Sequence, residues 1–225
     1  MHIEPGIVDG TKIVLSYATA IAAGSVAAKA AVAAVSEKGA VSVLLRGLIA
    51  TVAVFVCFEV LPHYPVGVSE VHFILGSTLF LILGVGPAAI GLALGLLAQG
   101  VFFEPADLPQ YGMNVTTLLV PLIAVDALAK RIISPNTAYV DLEYRQALAM
   151  STAFQGGVVA WVAFWAIYGR GLGAENLASI ATFGVAYMTV VIVEPLADLA
   201  VLAAAKAWRG KRPSMLLTPR LYAAD

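Results

Sequence analysis

Long apolar runs separated by short polar segments dominate the chain. Continuous apolar stretches lie near residues 12–35, 41–61, 113–130, 146–168 and 178–205. About 20 apolar residues in a helix cross the hydrocarbon core of a bilayer, so stretches of this length can do so. The strands of a transmembrane barrel would instead alternate apolar and polar residues over about ten positions. Because the runs are continuous, the pattern predicts an all-α, polytopic membrane bundle.

A further apolar stretch, residues 73–103, is too long for one ordinary crossing and short for two. It contains Gly84-Val85-Gly86-Pro87, and proline interrupts helices because it lacks an amide donor and clashes with the preceding turn. The stretch is therefore either one tilted helix, which gives six spans, or two short helices, which give about seven.

The distribution of basic residues favours seven spans with the N-terminus outside. Basic residues concentrate in the cytoplasmic loops of membrane proteins. In this topology only Lys12 and Arg170 lie outside. Six spans with the N-terminus inside would leave more of them outside, namely Lys29, Lys38, Arg46 and Arg170. We therefore divide the chain into a lead-in (residues 1–11), one transmembrane helical domain (12–207) and a basic cytoplasmic tail (208–225).

Composition supports the same class of protein. Of the 225 residues, 60% are hydrophobic and 12% are charged, and the mean hydropathy is +0.91. Soluble domains are about 45–50% apolar and about 25% charged, so lipid must solvate much of this chain. The single cysteine, Cys57, excludes a disulfide within the chain. The lead-in lacks the basic start and short apolar core of a signal peptide, and no basic patch suggests a nucleic-acid partner.

The first two residues can form a metal chelate that only a chain terminus offers. The α-amine of Met1 and the amide nitrogen of His2 close a five-membered ring around a metal ion. The same amide nitrogen and Nδ1 of His2 close a six-membered ring, so three nitrogens lie nearly in one plane. A fourth nitrogen would complete a square-planar site, which suits nickel(II) or copper(II). The metal itself promotes loss of the amide proton.

The other two histidines both fall on the outer side in the seven-span topology. His72 opens the third span, and a histidine that faces the interior of a membrane bundle is a candidate functional residue. His63 lies in the preceding loop, where we expect a solvated side chain at the membrane interface. His72 is therefore the stronger candidate of the two.

A series of short motifs follows in order from residue 1 to about residue 131. The series starts with Met1-His2-Ile3 and Gly6, and continues with a loop that ends at His72. The remaining motifs are Gly86-Pro87-Ala88-Ala89, Leu96-Leu97-Ala98-Gln99 followed by Phe102-Phe103, Gly112-Met113-Asn114 and Val120-Pro121. In this order they resemble the CbiM/NikM family, the substrate-binding membrane subunits of energy-coupling-factor ABC transporters for cobalt and nickel. Residues 107–112 and Thr117 depart from the family pattern.

The resemblance implies both a function and a set of ligands. The chain would capture cobalt(II) or nickel(II) in a near-square-planar, all-nitrogen site formed by Met1, His2 and His72. The lead-in would insert into a bundle of seven spans in the bacterial inner membrane. The expected partners are ATPase subunits and a transmembrane coupling subunit, with a small accessory membrane protein as a further candidate. The chain has no nucleotide-binding motif, so we expect it not to be an enzyme and ATP hydrolysis to come from its partners.

Other polar residues in or near the spans are candidates for orienting the ligands through hydrogen bonds. A metal-bound histidine usually donates its other ring N–H to a neighbouring acceptor. The candidates are Ser69, Gln99, Asn114 and Glu194. Glu194 shares a helix face with Asp198, four residues further on.

Two other functions are alternatives. A divergent membrane assembly or structural protein could keep the fold without binding metal, although the presence of Met1-His2 and His72 argues against it. An intramembrane enzyme would need a nucleophile–base pair or a two-histidine metal motif on helices, and the sequence contains neither.

Overall fold

The structure, a computed structural model, describes residues 3–208 and 215–222. Within these ranges the chain forms seven α-helices and one short antiparallel hairpin. The bounds are α1 Ile13–Lys38, α2 Ala40–Phe55, β1 Tyr64–Val66, β2 Ser69–Val71, α3 Gly76–Leu83, α4 Val85–Phe102, α5 Tyr111–Ile132, α6 Tyr144–Arg170 and α7 Ala174–Ala207. A π-turn, Val56–Val60, extends α2, and short 3-10 helices lie at Gly10–Lys12, Pro105–Gln110, Tyr139–Asp141 and Pro219–Leu221.

Six of the helices in the described chain are long and apolar enough to cross a membrane. Large aliphatic side chains such as Ile21, Leu48 and Val185 are exposed on the outside of the bundle, where lipid can solvate them. The predicted all-α, polytopic membrane bundle is therefore confirmed.

Gly84 separates α3 from α4 with a φ of 87°, a conformation that favours glycine. The predicted break is confirmed, and residues 73–103 contain two helices rather than one. However, α3 has only eight residues, or about 12 Å of helix, which cannot cross a bilayer alone. In the predicted seven-span topology, the non-helical segment from the hairpin to Leu75 completes the third span. This backbone can lie at membrane depth because protein surrounds it, and His72 and Ile74 are fully buried.

Small residues bring α2 and α4 into close contact. A Cβ added at Gly91 would lie 2.2 Å from Cβ of Ala50, and one added at Gly95 would lie 2.6 Å from Cγ1 of Val54. Helices in lipid associate through close packing of this kind, which small residues permit. The two glycines therefore serve packing inside the bundle.

The N-terminal segment inserts into the bundle. Ile3 forms an antiparallel bridge with Ser69 of β2, and Ile3, Ile7 and Val8 are buried. The segment also packs on the end of α6, where a Cβ added at Gly169 would lie 1.9 Å from the carbonyl oxygen of Ile7. The insertion that the family resemblance implies is therefore present from Ile3 onwards.

The C-terminal segment folds back onto the end of the bundle. The hydroxyl of Ser42 donates to the carbonyl of Met215 at 2.6 Å. The N–H of Thr218 donates to the carbonyl of Ile82 at 2.9 Å. Residues 215–222, the described part of the predicted tail, are thus packed against the helices.

Candidate metal centre

His72 directly follows β2 and is fully buried. Its Nε2 lies 2.9 Å from Oε2 of Glu70. When Nε2 carries the ring proton and donates to this carboxylate, Nδ1 holds the lone pair that can bind a metal. The ring also lies against Phe58, with the ring centroids 5.1 Å apart. The contacts with Glu70 and Phe58 therefore fix the orientation of the His72 imidazole.

His63 stacks on His72, which the sequence did not predict. Their ring centroids lie 4.9 Å apart at an interplanar angle of 15°. Nδ1 of His63 lies 3.2 Å from the carbonyl oxygen of Leu61, and the residue is half-buried. The expected loop position is correct, but the hairpin turns this loop towards the bundle and brings the two rings together.

Two further carboxylates lie close to Glu70. Glu4 and Asp107 both lie within electrostatic range of Glu70. Burial and the Glu70 carboxylate raise the pKa of Glu4, whereas Arg170 acts in the opposite direction. The sequence did not mark these acids as candidates because they lie on three separate segments, which only the fold brings together.

Asn114 and Ser69, two of the predicted orienting residues, both hold the N-terminal segment. Oδ1 of the buried Asn114 accepts the N–H of Ile3 at 2.9 Å. Ser69 pairs with Ile3 through the antiparallel bridge. Together they fix the position of Ile3, which directly follows the predicted chelate.

Gln99 supports the site indirectly. Its Nε2 lies 3.4 Å from the carbonyl oxygen of Phe58 and 3.4 Å from Oε2 of Glu59, both long for hydrogen bonds. These two residues belong to the π-turn that extends α2. Gln99 therefore contacts the backbone of Phe58, the residue whose ring packs against His72.

Glu194 and Asp198 of α7 hold the start of α3. Oε1 of Glu194 accepts a hydrogen bond from the N–H of Leu75 at 2.7 Å. Oδ2 of Asp198 accepts a hydrogen bond from the hydroxyl of Ser77 at 2.7 Å. Leu75 has a φ of 55°, a left-handed conformation that is uncommon for residues other than glycine. Glu194 therefore stabilises the turn that lies three residues after His72.

Met1 and His2 lie outside the described residues, so their roles as ligands remain predictions from the sequence. Within residues 3–208 and 215–222, no three His, Cys, Asp or Glu side chains form a group that could hold a metal ion. His72 and its neighbours therefore form at most part of a metal site.

Two solved structures resemble this chain over nearly its whole length. One is a transition metal transporter, with a TM-score of 0.72 and 18% sequence identity, matched over 94% of this chain and 95% of that one. The other is a truncated transition metal transporter, with a TM-score of 0.71 and 18% identity, matched over 92% and 99%. At this identity the similarity establishes the fold. A search of curated protein sequences found no match.

The sequence profile of the CbiM family, described as the cobalt uptake substrate-specific transmembrane region, matches residues 2–212. This match extends the resemblance of the N-terminal motifs to nearly the whole chain. The family consists of transporter components and is not an enzyme family. The protein therefore belongs to the CbiM family and is a multi-pass membrane component of metal uptake.

Proposed function

We propose that the chain is the substrate-binding subunit of an energy-coupling-factor uptake transporter for cobalt(II) or nickel(II). The transported ion is bound by four nitrogens close to one plane. They are the α-amine of Met1, the amide nitrogen and Nδ1 of His2, and Nδ1 of His72. This donor set suits the later divalent transition metals.

The pairing of Ile3 with Ser69 is the observation that carries the proposal. Ser69 lies three residues before His72, and Ile3 directly follows the two residues of the proposed chelate. The bridge therefore fixes the first described residue of the N-terminal segment on the strand that leads to His72. The hydrogen bond from the N–H of Glu4 to the carbonyl of Val68, at 3.3 Å, agrees with this register.

The contact between His72 and Glu70 supports the role of His72 as a ligand. Metal-bound histidines usually donate their other ring N–H to a carboxylate or carbonyl, which fixes the tautomer and the ring orientation. The 2.9 Å contact of Nε2 with Oε2 of Glu70 provides such an acceptor. Nδ1 is then the nitrogen that binds the metal.

The charges around the site support a divalent cation. Because the His2 amide loses its proton on binding, the complex with a divalent ion carries one net positive charge. Glu70 lies beside His72, and Glu4 and Asp107 lie within electrostatic range of Glu70. These carboxylates stabilise the bound cation and raise the local concentration of cations at the outer entrance.

The sequence contains no nucleotide-binding motif, so transport energy must come from other subunits. We infer that separate ATPase subunits and a transmembrane coupling subunit act with this chain in the bacterial inner membrane. A small accessory membrane protein is a further candidate partner. The description of the family as the substrate-specific region of cobalt uptake supports this division of roles.

Short extensions at either terminus test the chelate. An N-terminal extension converts the Met1 amine to an amide and should abolish nickel and cobalt binding, with the unfolding temperature unchanged. The protein with a C-terminal extension should bind metal, and binding should release protons because the ligands must be deprotonated. Calorimetric titration of purified protein in buffers with different ionisation enthalpies measures both. Undiminished affinity in the N-extended protein would exclude the chelate.

Two histidine variants form a matched pair for the second half of the site. His72→Ala should remove most of the metal affinity because it removes one of four ligands. His63→Ala should have little effect on metal affinity because His63 is not a ligand, although its ring stacks on His72. Equal losses would show that the ligand assignment is wrong. A folded, unmodified protein that binds neither metal would support the alternative of a structural protein.

A further inference from the structure

A cavity of about 390 Å³ lies at the end of the bundle where α1 ends, α4 begins and the C-terminal segment folds back. In the predicted topology this end is cytoplasmic. Three basic side chains, Arg46, Lys130 and Arg220, line it together with Glu37 and Asp126. Lys130 pairs with Asp126 at 2.6 Å. The two arginines therefore face the cavity with Glu37 as the remaining acid of the lining.

Arg46 is a buried arginine with an unused donor. Its exposed fraction is 1%, its Nη1 donates to the carbonyl of Leu83 at 2.8 Å, and its Nε lies 3.4 Å from the carbonyl of Ser42. Its Nη2 has no hydrogen-bond partner among the described residues. A buried cation with an unpaired donor is unfavourable unless an acceptor binds there, so the cavity suits an anion.

Arg220 presents a second unused donor from the C-terminal segment. Its Nη2 donates to the carbonyl of Ser134 at 3.1 Å, and the guanidinium lies 5.1 Å from the centroid of the Tyr139 ring. These contacts fix the side chain, yet its Nε is buried without a partner in the described part of the chain. Two fixed guanidinium groups with free N–H donors are suited to the oxygens of a phosphate.

An apolar groove leads from this cavity along α1. A narrow cleft between α1, α4 and α5 shares Ala30, Val85 and Asp126, the partner of Lys130, with the cavity. A third hollow of about 300 Å³ shares Val26 and Ile123 with the cleft and extends to Trp161. The basic cavity therefore opens, beyond Asp126, into a nearly continuous apolar path along the lipid-facing side of the bundle.

We infer that this cavity and groove bind one anionic phospholipid of the cytoplasmic leaflet. The phosphate lies between Arg46 and Arg220, and an acyl chain follows the groove past Ala30. A basic pocket between transmembrane helices on the cytoplasmic side is the arrangement that recognises anionic headgroups. Because Arg220 belongs to the C-terminal segment, the bound lipid also holds this segment against the bundle.

Native mass spectrometry of delipidated protein in detergent tests this inference. When each lipid is added back separately, phosphatidylglycerol should be retained as one tightly bound molecule, and phosphatidylcholine should not be retained. Arg46→Gln and Arg220→Gln should each weaken phosphatidylglycerol binding by about fivefold, the effect expected for one basic group near an anionic lipid. Ala30→Leu should weaken it by obstructing the groove. Lys206→Gln is the control, because Lys206 pairs with Asp141 and does not line the cavity.

Inorganic phosphate distinguishes a lipid site from a site for soluble anions. If phosphate alone raises the unfolding temperature as much as phosphatidylglycerol does, and Ala30→Leu has no effect, the ligand is a free oxyanion and the inference is wrong. Equal retention of both lipids, or full retention in Arg220→Gln, would also overturn it. If Arg46→Gln does not fold, the Arg220 and Ala30 variants still decide. Thermal unfolding of each variant in detergent verifies that the protein is folded, whether or not it binds nickel.

Discussion

Replacement of Asn114 with leucine should weaken metal binding without unfolding the protein. Oδ1 of Asn114 accepts the N–H of the fully buried Ile3 at 2.9 Å. Leucine has the same branched arrangement of heavy atoms, although it is somewhat larger, but it has no acceptor, so this N–H loses its partner. An unsatisfied buried donor costs about 1–3 kcal/mol. The protein can avoid this cost by releasing the N-terminal segment into water.

The released segment must become ordered again when metal binds, so the cost reduces the metal affinity. Since about 1.4 kcal/mol corresponds to a factor of ten, we expect a Kd for nickel that is about 5- to 150-fold higher. Asn114→Asp keeps an acceptor oxygen at this position and should recover most of the affinity. Calorimetric titration measures the Kd, and thermal unfolding of the metal-free protein in detergent measures stability.

Asn176 provides a matched control. It is also a buried asparagine, and its Nδ2 donates to the carbonyls of Ala166 and Gly171 at 3.0 and 2.7 Å. Asn176→Leu should lower the unfolding temperature and leave the Kd unchanged, because Asn176 does not hold the N-terminal segment. A Kd for Asn114→Leu within about twofold of the unmodified protein, or an equal loss in Asn176→Leu, would refute the reasoning.

Three further predictions concern the site, the packing and the topology. Glu70→Gln should weaken nickel binding by about tenfold or more, because the acceptor of the His72 ring proton loses its charge; an unchanged titration would contradict this role. Gly91→Ala should lower the unfolding temperature through a clash with α2 worth about 1–3 kcal/mol, whereas Gly24→Ala, with nothing within 4 Å of the added Cβ, should not. A cysteine introduced at the exposed Ala106 should react with an impermeant maleimide added outside the cell. The native Cys57 is buried and should not react. Labelling only after cell lysis would show that the predicted topology is inverted.

The sequence was sufficient for features that depend on local pattern. Continuous apolar runs specify helices because lipid offers the backbone no hydrogen-bond partners. Gly84 could be identified as a break because the sequence Gly-Val-Gly-Pro disfavours a continuous helix. The buried position of His72 was expected because an ionisable side chain within a membrane segment usually faces the bundle interior, whereas its role as a ligand stays a prediction.

Features that depend on contacts between distant segments could not be predicted. Asn114 was chosen as a residue that orients the metal ligands, but its observed partner, Ile3, lies 111 positions away. Glu70 was overlooked because its role requires the ring of His72 to fold back towards β2. The eight-residue length of α3 also follows from tertiary contacts, since Glu194 holds the backbone of Leu75 and so sets where the helix begins.

The support that α7 gives to the hairpin and to α3 has a consequence for biosynthesis. A Cβ added at Gly67, at the tip of the hairpin, would lie 2.2 Å from the carbonyl oxygen of Ser179, and Glu194 binds the backbone of Leu75 across 119 positions. A chain leaving the ribosome therefore inserts all its earlier helices before α7 can support the hairpin and the start of α3. The proposed metal site, whose His72 lies between the hairpin and α3, is complete only after the last helix has entered the membrane, so we expect prematurely terminated chains to lack it.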